Sequence, residues 1–151
     1  MISKNKLQSF ISKYYLGEFN QAKWKIKDNN LSVHVGGPGL AAGVYIKDFP
    51  IKEAELGVFD SNKLQKLISI TSGDLLLSTE SQGALSRKLN ISDANFELSY
   101  SLASPSIIPK ISFYKDLDWD MELDLSRDDI DNLLKAKNAL SEYNSLVIEG
   151  I

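Results

Sequence analysis

Three segments of the chain share one pattern of apolar and polar positions. In each, an oxygen-bearing residue is followed by apolar residues at the fourth, seventh and eighth positions. Ser3 leads to Leu7, Phe10 and Ile11; Asp60 leads to Leu64, Leu67 and Ile68; Ser126 leads to Ile130, Leu133 and Leu134. At helical pitch each triplet forms one stripe, and the leading Ser or Asp can accept from first-turn N–H groups. The spacing predicts helices over residues 3–15, over 61–70 and after Ser126, where Asp129 can complete a reciprocal capping bond. The first two caps lie 57 positions apart and the last two 66. Strand-like sequence fills both intervals, so the chain reads as a helix plus several strands, repeated about every sixty residues.

Between the helices the apolar period shortens to two. Ala22–Asp28 and Leu31–Val35 predict a hairpin turning at Asn29-Asn30, with Leu31, Val33 and Val35 on one face and Ser32 and His34 on the other. Gly36-Gly37-Pro38-Gly39 interrupts the alternation and reads as a loop between strands. Strands are predicted at Gly43–Asp48, at Ala54–Phe59 leading into the second helix, and at Leu75–Thr79. After a turn at Ser81-Gln82-Gly83, Ala84–Ile91 and Phe96–Leu102 follow. Ala103–Ser112 carries Pro105 and Pro109 without periodicity, as a linker would. A new alternation then sets Leu117, Trp119, Met121, Leu123 and Leu125 against Asp116, Asp118, Asp120, Glu122 and Asp124, and Ser145–Ile151 reads as one more strand. The expected class is α+β: antiparallel sheet, helices on one face, strand–helix–strand halves repeated. The expected division is a first domain over 1–103, a crossover over 104–115, and the start of a second, truncated domain over 116–151.

Composition narrows the function classes. With 43% hydrophobic and 25% charged residues the chain is of ordinary globular type. No apolar run approaches the ~20 residues of a membrane span, and the opening MISKNKLQSFISKYY is no secretory signal. The absence of cysteine excludes disulfides, thiolate metal sites and thiol nucleophiles. A reducing, cytoplasmic setting is expected. The formal net charge of −3 conceals an asymmetry: residues 1–70 hold ten Lys against six acids, and residues 71–151 seven basic residues against fourteen acids. Such a chain is not coated in positive charge, so any contact with nucleic acid must use one chosen face.

Candidate chemistry is sparse. His34 is the only histidine, too little for a dyad or a metal site. The Gly36–Gly39 run lacks a Lys-Ser/Thr ending and a following helix, and so is no phosphate loop. The acids at 116–124 would stand about 7 Å apart along a strand, a solvated face that discourages edge pairing. No catalytic residue, metal ligand set or cofactor is identified. The helices, however, carry lysines: Lys4, Lys6 and Lys13 on the first, Lys63 and Lys66 on the second, Lys135 and Lys137 on the third. Placed on a surface facing DNA, these would meet phosphates without reading sequence. Directly opposite the apolar stripes lie mostly neutral residues (Asn5, Gln8, Ser9, Gln65, Ser69, Asn132), while Asp128 and Asp131 intrude on the third helix.

Residues Leu56–Ile70 (LGVFDSNKLQKLISI), followed by Asp74-Leu-Leu-Leu-Ser, resemble the strand, short helix and buried strand of the DNA polymerase sliding clamps, among them those of T-even-like phages. Ser92-Asp93-Ala94 running into Phe96–Ala103 and then Ser104-Pro105-Ser106 is similar to the phage clamps' last strand and interdomain crossover. Met121–Gly150 is similar to the opening of their second domain. The resemblance implies a non-enzymatic processivity factor whose subunits join head to tail into a ring, a trimer in the phage version. Helices line the hole around duplex DNA and strands form the outside. The implied partners are duplex DNA, a replicative polymerase and a clamp loader, with no membrane, in the cytoplasm (the host's, if phage-encoded). Partner peptides would dock beside the crossover, here at Leu40, Ile107 and Ile108. The alternative reading is a β-rich interaction module of a phage or bacterium with no DNA role.

Overall fold

A computed structural model describes residues 1–111 and 118–150. The chain divides into two units, Met1–Phe113 and Tyr114–Ile151. The first contains β1 (Ile2–Ser3), α1 (Lys4–Tyr15), β2 (Ala22–Lys27), β3 (Asn30–Gly37), β4 (Leu40–Ile46), β5 (Ala54–Val58), α2 (Ser61–Ser69), β6 (Asp74–Gln82), β7 (Leu85–Ser92) and β8 (Glu97–Ser101). This is one strand–helix–three-strand string written twice. The expected α+β class, antiparallel pairing and repeated halves are all present, and the strands divide between two sheets of order β1-β6-β7-β8 and β4-β3-β2-β5. The first strand of each half is donated to the other half's sheet. Ile2 pairs with Leu75, and Ala22 pairs with Val58. Each half is therefore incomplete alone, and the exchange makes the two fold as one body.

Helix starts follow the predicted chemistry. Ser3 Oγ accepts from the Lys6 N–H at 3.2 Å, and Asp60 Oδ1 accepts from the Lys63 N–H at 2.8 Å. These satisfy donors that a helix cannot satisfy internally. The stripes behind the caps are buried: Leu7, Phe10 and Ile11 on α1, Leu64 and Ile68 on α2, with Leu67 partly covered. They meet the inward faces of both sheets in one core. Phe10 stands edge-on to both Tyr14 and Trp24, with ring centroids 5.5 Å apart in each pair.

Three turns differ from expectation, and the one expected at Ser81-Gln82-Gly83 falls at Gly83-Ala84, because Gln82 pairs with Leu85. The first hairpin turns at Asp28-Asn29, because Lys27 pairs with Asn30. Both turn residues have positive φ, 51° and 59°, as a two-residue turn matching strand twist requires, and Asp and Asn tolerate that region best after glycine. The glycine run is no open loop: Gly36 and Gly37 continue β3, paired with Ala41 and Leu40. Only Pro38 and Gly39 make the turn.

The crossover is more ordered than a linker. Ala103 bridges Gly57 of β5, and Pro105–Ile107 form a single 3-10 turn. The last part of the expected crossover, 112–115, and the start of the acidic alternation, 116–117, lie outside the described residues. In the second unit the helix is α3 (Arg127–Ala139), begun by Ser126 with the predicted capping box to Asp129. The strands expected over 116–125 and 145–151 are absent among the described residues 118–125 and 145–150. Alternation specifies a face, but a strand exists only where a neighbour accepts and donates its backbone bonds. No described residue of this unit supplies such a ladder.

Candidate functional site

The polar contacts between α1 and α2 fix their mutual direction. Lys4, at the start of α1, reaches the carbonyls of Ser69 (2.7 Å) and Thr71 (2.6 Å) at the end of α2. In the middle Gln65 Nε2 donates to Ser12 Oγ at 2.9 Å, and Tyr14 near the end of α1 shares a 2.8 Å hydrogen bond with Ser61 at the start of α2. The helices are antiparallel neighbours, in keeping with a twofold relation between the halves.

Given the buried stripes, helical periodicity turns Asn5, Ser9 and Ser12 outward on α1 and Asn62, Lys66 and Ser69 outward on α2. Lys6 and Lys13 share one outer flank. Lys63 holds the place of Lys6 on the other helix, 57 residues on. The surface presented by the pair is thus mostly neutral and hydrogen-bonding, with Lys66 on its outward face and Lys6, Lys13 and Lys63 at its margins. Of the predicted DNA-facing lysines, Lys13, Lys63 and Lys66 are exposed on this surface. Lys6 is exposed and also donates to the Lys47 carbonyl at 3.1 Å. Lys4 is half-buried, and its ammonium is engaged by the α2 carbonyls. Lys135 and Lys137 belong to the second unit, where both are exposed. Gln65, expected opposite the stripe, is turned into the seam by its bond to Ser12.

The Tyr14 hydroxyl at the seam also accepts from Trp24 Nε1 at 3.2 Å. Burial pushes its pKa up to about 12, although its hydrogen bonds to Ser61 and Trp24 act the other way. It is a structural group, neutral and enclosed.

A second feature lies where the crossover meets β3. Glu18, Phe19, Asn20, Gln21, His34, Val35, Gly36, Pro109 and Ile111 line an open pocket of about 310 Å³. A Cβ on Gly36 would come within 3.2 Å of the Ile111 side chain and 3.0 Å of the Leu40 carbonyl. The bare glycine therefore lets the crossover settle on the strand. Of the predicted docking residues, Leu40 and Ile107 are exposed, at 45% and 57%, whereas Ile108 is 5% exposed and offers no docking surface. Phe19, Pro109 and Ile111 were not singled out from the sequence. The available signal was a lone aromatic at Phe19 in a polar loop just after a helix.

His34, on the pocket wall, shares a 2.7 Å hydrogen bond with the Tyr45 hydroxyl. Desolvation first, and Lys25 second, lower its pKa. Among the described residues no three His, Asp or Glu side chains converge as a metal site would require, and the described acids of the 116–124 run are exposed.

No protein-family model matches this sequence, and no curated protein matches it either. Solved structures do. The Helicobacter pylori beta clamp in complex with 5-chloroisatin is similar over 76% of this chain and 32% of its own, with 14% identity and a TM-score of 0.61. The same clamp bound to a DNA ligase peptide gives 0.57 at 14% identity, covering 76% and 33%. The DNA polymerase III subunit beta of Pseudomonas aeruginosa gives 0.54 at 15% identity, covering 74% and 31%. The chain spans about a third of the length of these proteins. At such identities the likeness is one of fold, and the fold of this chain is that of the sliding clamps.

Proposed function

We propose that this chain is part of a sliding clamp of the phage type: a non-enzymatic processivity factor that encircles duplex DNA and tethers a replicative polymerase, placed by a clamp loader. The observation that carries this reading is the antiparallel α1–α2 pair, backed by two sheets whose halves exchange their first strands. It gives a helical surface of mostly neutral polar groups that carries Lys66 on its outward face, with Lys6, Lys13 and Lys63 around it. The likeness to solved beta clamps supports the same reading.

The physics suits a topological tether. A ring holds DNA by blocking escape, so its contacts to phosphate need only be few and weak. A clamp that bound duplex tightly would not slide. Among the described residues β4 and β8 end their sheets, and open edges of this kind pair between subunits in a head-to-tail ring. The ring would be a trimer of the family's two-domain subunits, working in the cytoplasm without a cofactor. The crossover pocket would receive an apolar side chain of a polymerase or loader peptide, with Leu40 and Ile107 beside it. Lys135 and Lys137 would be the DNA-facing lysines of the second domain.

The test is retention on circular duplex DNA before and after linearisation. A clamp is held on the circle and lost from free ends, and Lys13→Gln with Lys63→Gln and Lys66→Gln reduces retention further. Equal retention on both forms would leave the alternative, an interaction module without a DNA role.

A further inference from the structure

The opposite face of the β4-β3-β2-β5 sheet carries a second constellation. Trp24, Ile26, Leu31 and Val33 point into the core, so alternation sends Lys23, Lys25 and Lys27 of β2 to the face away from the helices. Lys25 pairs with Ser32, and Ser32 pairs with Tyr45, so Lys25 and Tyr45 stand in one row, about 10 Å apart over two strand spacings. Glu55 flanks Lys25 on the side away from Tyr45.

Tyr45 is held in an unusual posture. Its hydroxyl is hydrogen-bonded to His34 Nε2, and a Cβ built on Gly43 would lie 3.0 Å from that hydroxyl and 3.0 Å from His34 Cδ2. Gly43 and Tyr45 share a face two residues apart. For the phenol oxygen to reach over Gly43, the ring must lie down along the strand. The bare glycine makes room and His34 pins the far end, yet Tyr45 remains 66% exposed. One π-face of the ring is therefore offered to solvent, already ordered, on the sheet face that also carries Lys23, Lys25 and Lys27.

We infer that this sheet face binds single-stranded nucleic acid, one base stacking on Tyr45 and neighbouring phosphates meeting Lys23, Lys25 and Lys27. A flat aromatic among cations suits a ligand that carries both a π-surface and negative charge. A duplex keeps its base faces inside the stack and cannot use the ring. An acidic peptide would use the lysines and leave the pinned tyrosine without purpose. The inference goes beyond the clamp reading and stands without it, since the helices lie on the other side of the sheet.

The probe is a fluorescent oligo(dT) of about 15 nucleotides, titrated with the whole chain and followed by anisotropy at two salt concentrations. Tyr45→Ala is expected to weaken binding about tenfold or more, and Tyr45→Phe, which keeps the ring and loses the pin, by less. Lys25→Gln and Lys27→Gln should each reduce the salt slope by roughly 0.7, while Arg87→Gln on β7 of the other sheet changes neither quantity. Thermal melts of both Tyr45 variants establish that the fold is kept. Oligo(dT) affinity unchanged in Tyr45→Ala would overturn the inference. So would polyglutamate binding through the same lysines with no binding of oligo(dT), an outcome that would assign the face to an acidic protein. Neither result touches the circular-DNA test of the helical face.

Discussion

The Ala103 N–H donates to the Gly57 carbonyl across 2.8 Å, which ties the chain leaving β8 to the middle of β5. The approach is possible only because residue 57 has no side chain: a Cβ there would overlap the Ala103 carbonyl and come within 3.2 Å of the Ser104 carbonyl carbon. Gly57→Ala is expected to force the crossover off the strand at a cost of about 1–3 kcal/mol, the range for overpacking a close contact. Because Pro109 and Ile111 follow from this anchor, the pocket beside β3 should loosen with it. Denaturant unfolding and exchange of the Ala103 amide measure both effects. An unchanged midpoint with that amide still protected would show that the crossover is held elsewhere.

Tyr14 ties stability to alkaline pH. Its folded pKa of about 12 lies above the ordinary tyrosine value of 10.0. Between those values the unfolded chain releases a proton that the folded chain keeps, so stability falls as pH rises through this window. Tyr14→Phe removes that dependence but strands the Ser61 hydroxyl and the Trp24 N–H, at a cost of about 1–3 kcal/mol near neutrality. The variant should be less stable at pH 7, with the gap narrowing above pH 10. Burial also raises the pKa of Tyr100, so part of the alkaline loss persists in both proteins. Urea unfolding at neutral and alkaline pH decides it, and a gap that does not narrow would dissociate Tyr14 from the titration.

The helices were legible because a cap and a stripe are local. Ser3, Asp60 and Ser126 each cap the helix that their spacing predicts. The 57-residue interval between the first two caps corresponds to a real structural repeat. Strand exchange was not legible: nothing in Ile2-Ser3 says that its partner is Leu75-Asp74 of the other half, because pairing is a property of the assembled body. The same limit explains the second unit. Its alternation over 117–125 was as regular as that of Phe96–Leu102, yet β8 has β7 to pair with and the described residues 118–125 have no such neighbour. At the site, charge was visible and its use was not. Lys4 and Lys13 look alike as letters on one helix, and only the fold sets α2's terminal carbonyls beside one of them.

Lys4 should therefore behave as a structural residue. Its ammonium bonds two carbonyls at the C-terminal end of α2, where a positive charge also opposes the helix dipole. Lys4→Met keeps the aliphatic stem and removes the charge. It is expected to cost about 1–2 kcal/mol, consistent with a charged hydrogen bond plus the dipole contribution. Lys13→Met, on the exposed flank, should change stability by less than about 0.5 kcal/mol. Retention on circular DNA should show the reverse order, with Lys13→Met weaker than Lys4→Met. Equal stability of the two variants would remove Lys4 from the helix seam and return it to the candidate DNA surface.

The capping box of α3 gives the second unit an acid sensitivity of its own. Asp129 Oδ2 accepts from Ser126 Oγ at 2.6 Å and from the Ser126 N–H at 2.9 Å. Those bonds, the hydroxyl first, hold its pKa below the ordinary carboxylate value of 3.8. A group whose folded pKa is depressed stabilises the fold above its unfolded value, and the contribution is lost as pH falls through the folded one. Amide protection in α3 should accordingly decline below about pH 4, while α1 holds, because its cap is Ser3 and its first turn contains no acid. Asp129→Asn keeps an acceptor oxygen without a titrating proton. It should weaken α3 at neutral pH and abolish the acid-dependent part of its fraying. Hydrogen exchange on the whole chain, with α1 as internal reference, separates the two. Parallel loss of protection in α1 and α3 would mean that acid opens the chain globally and that the box has no separate effect.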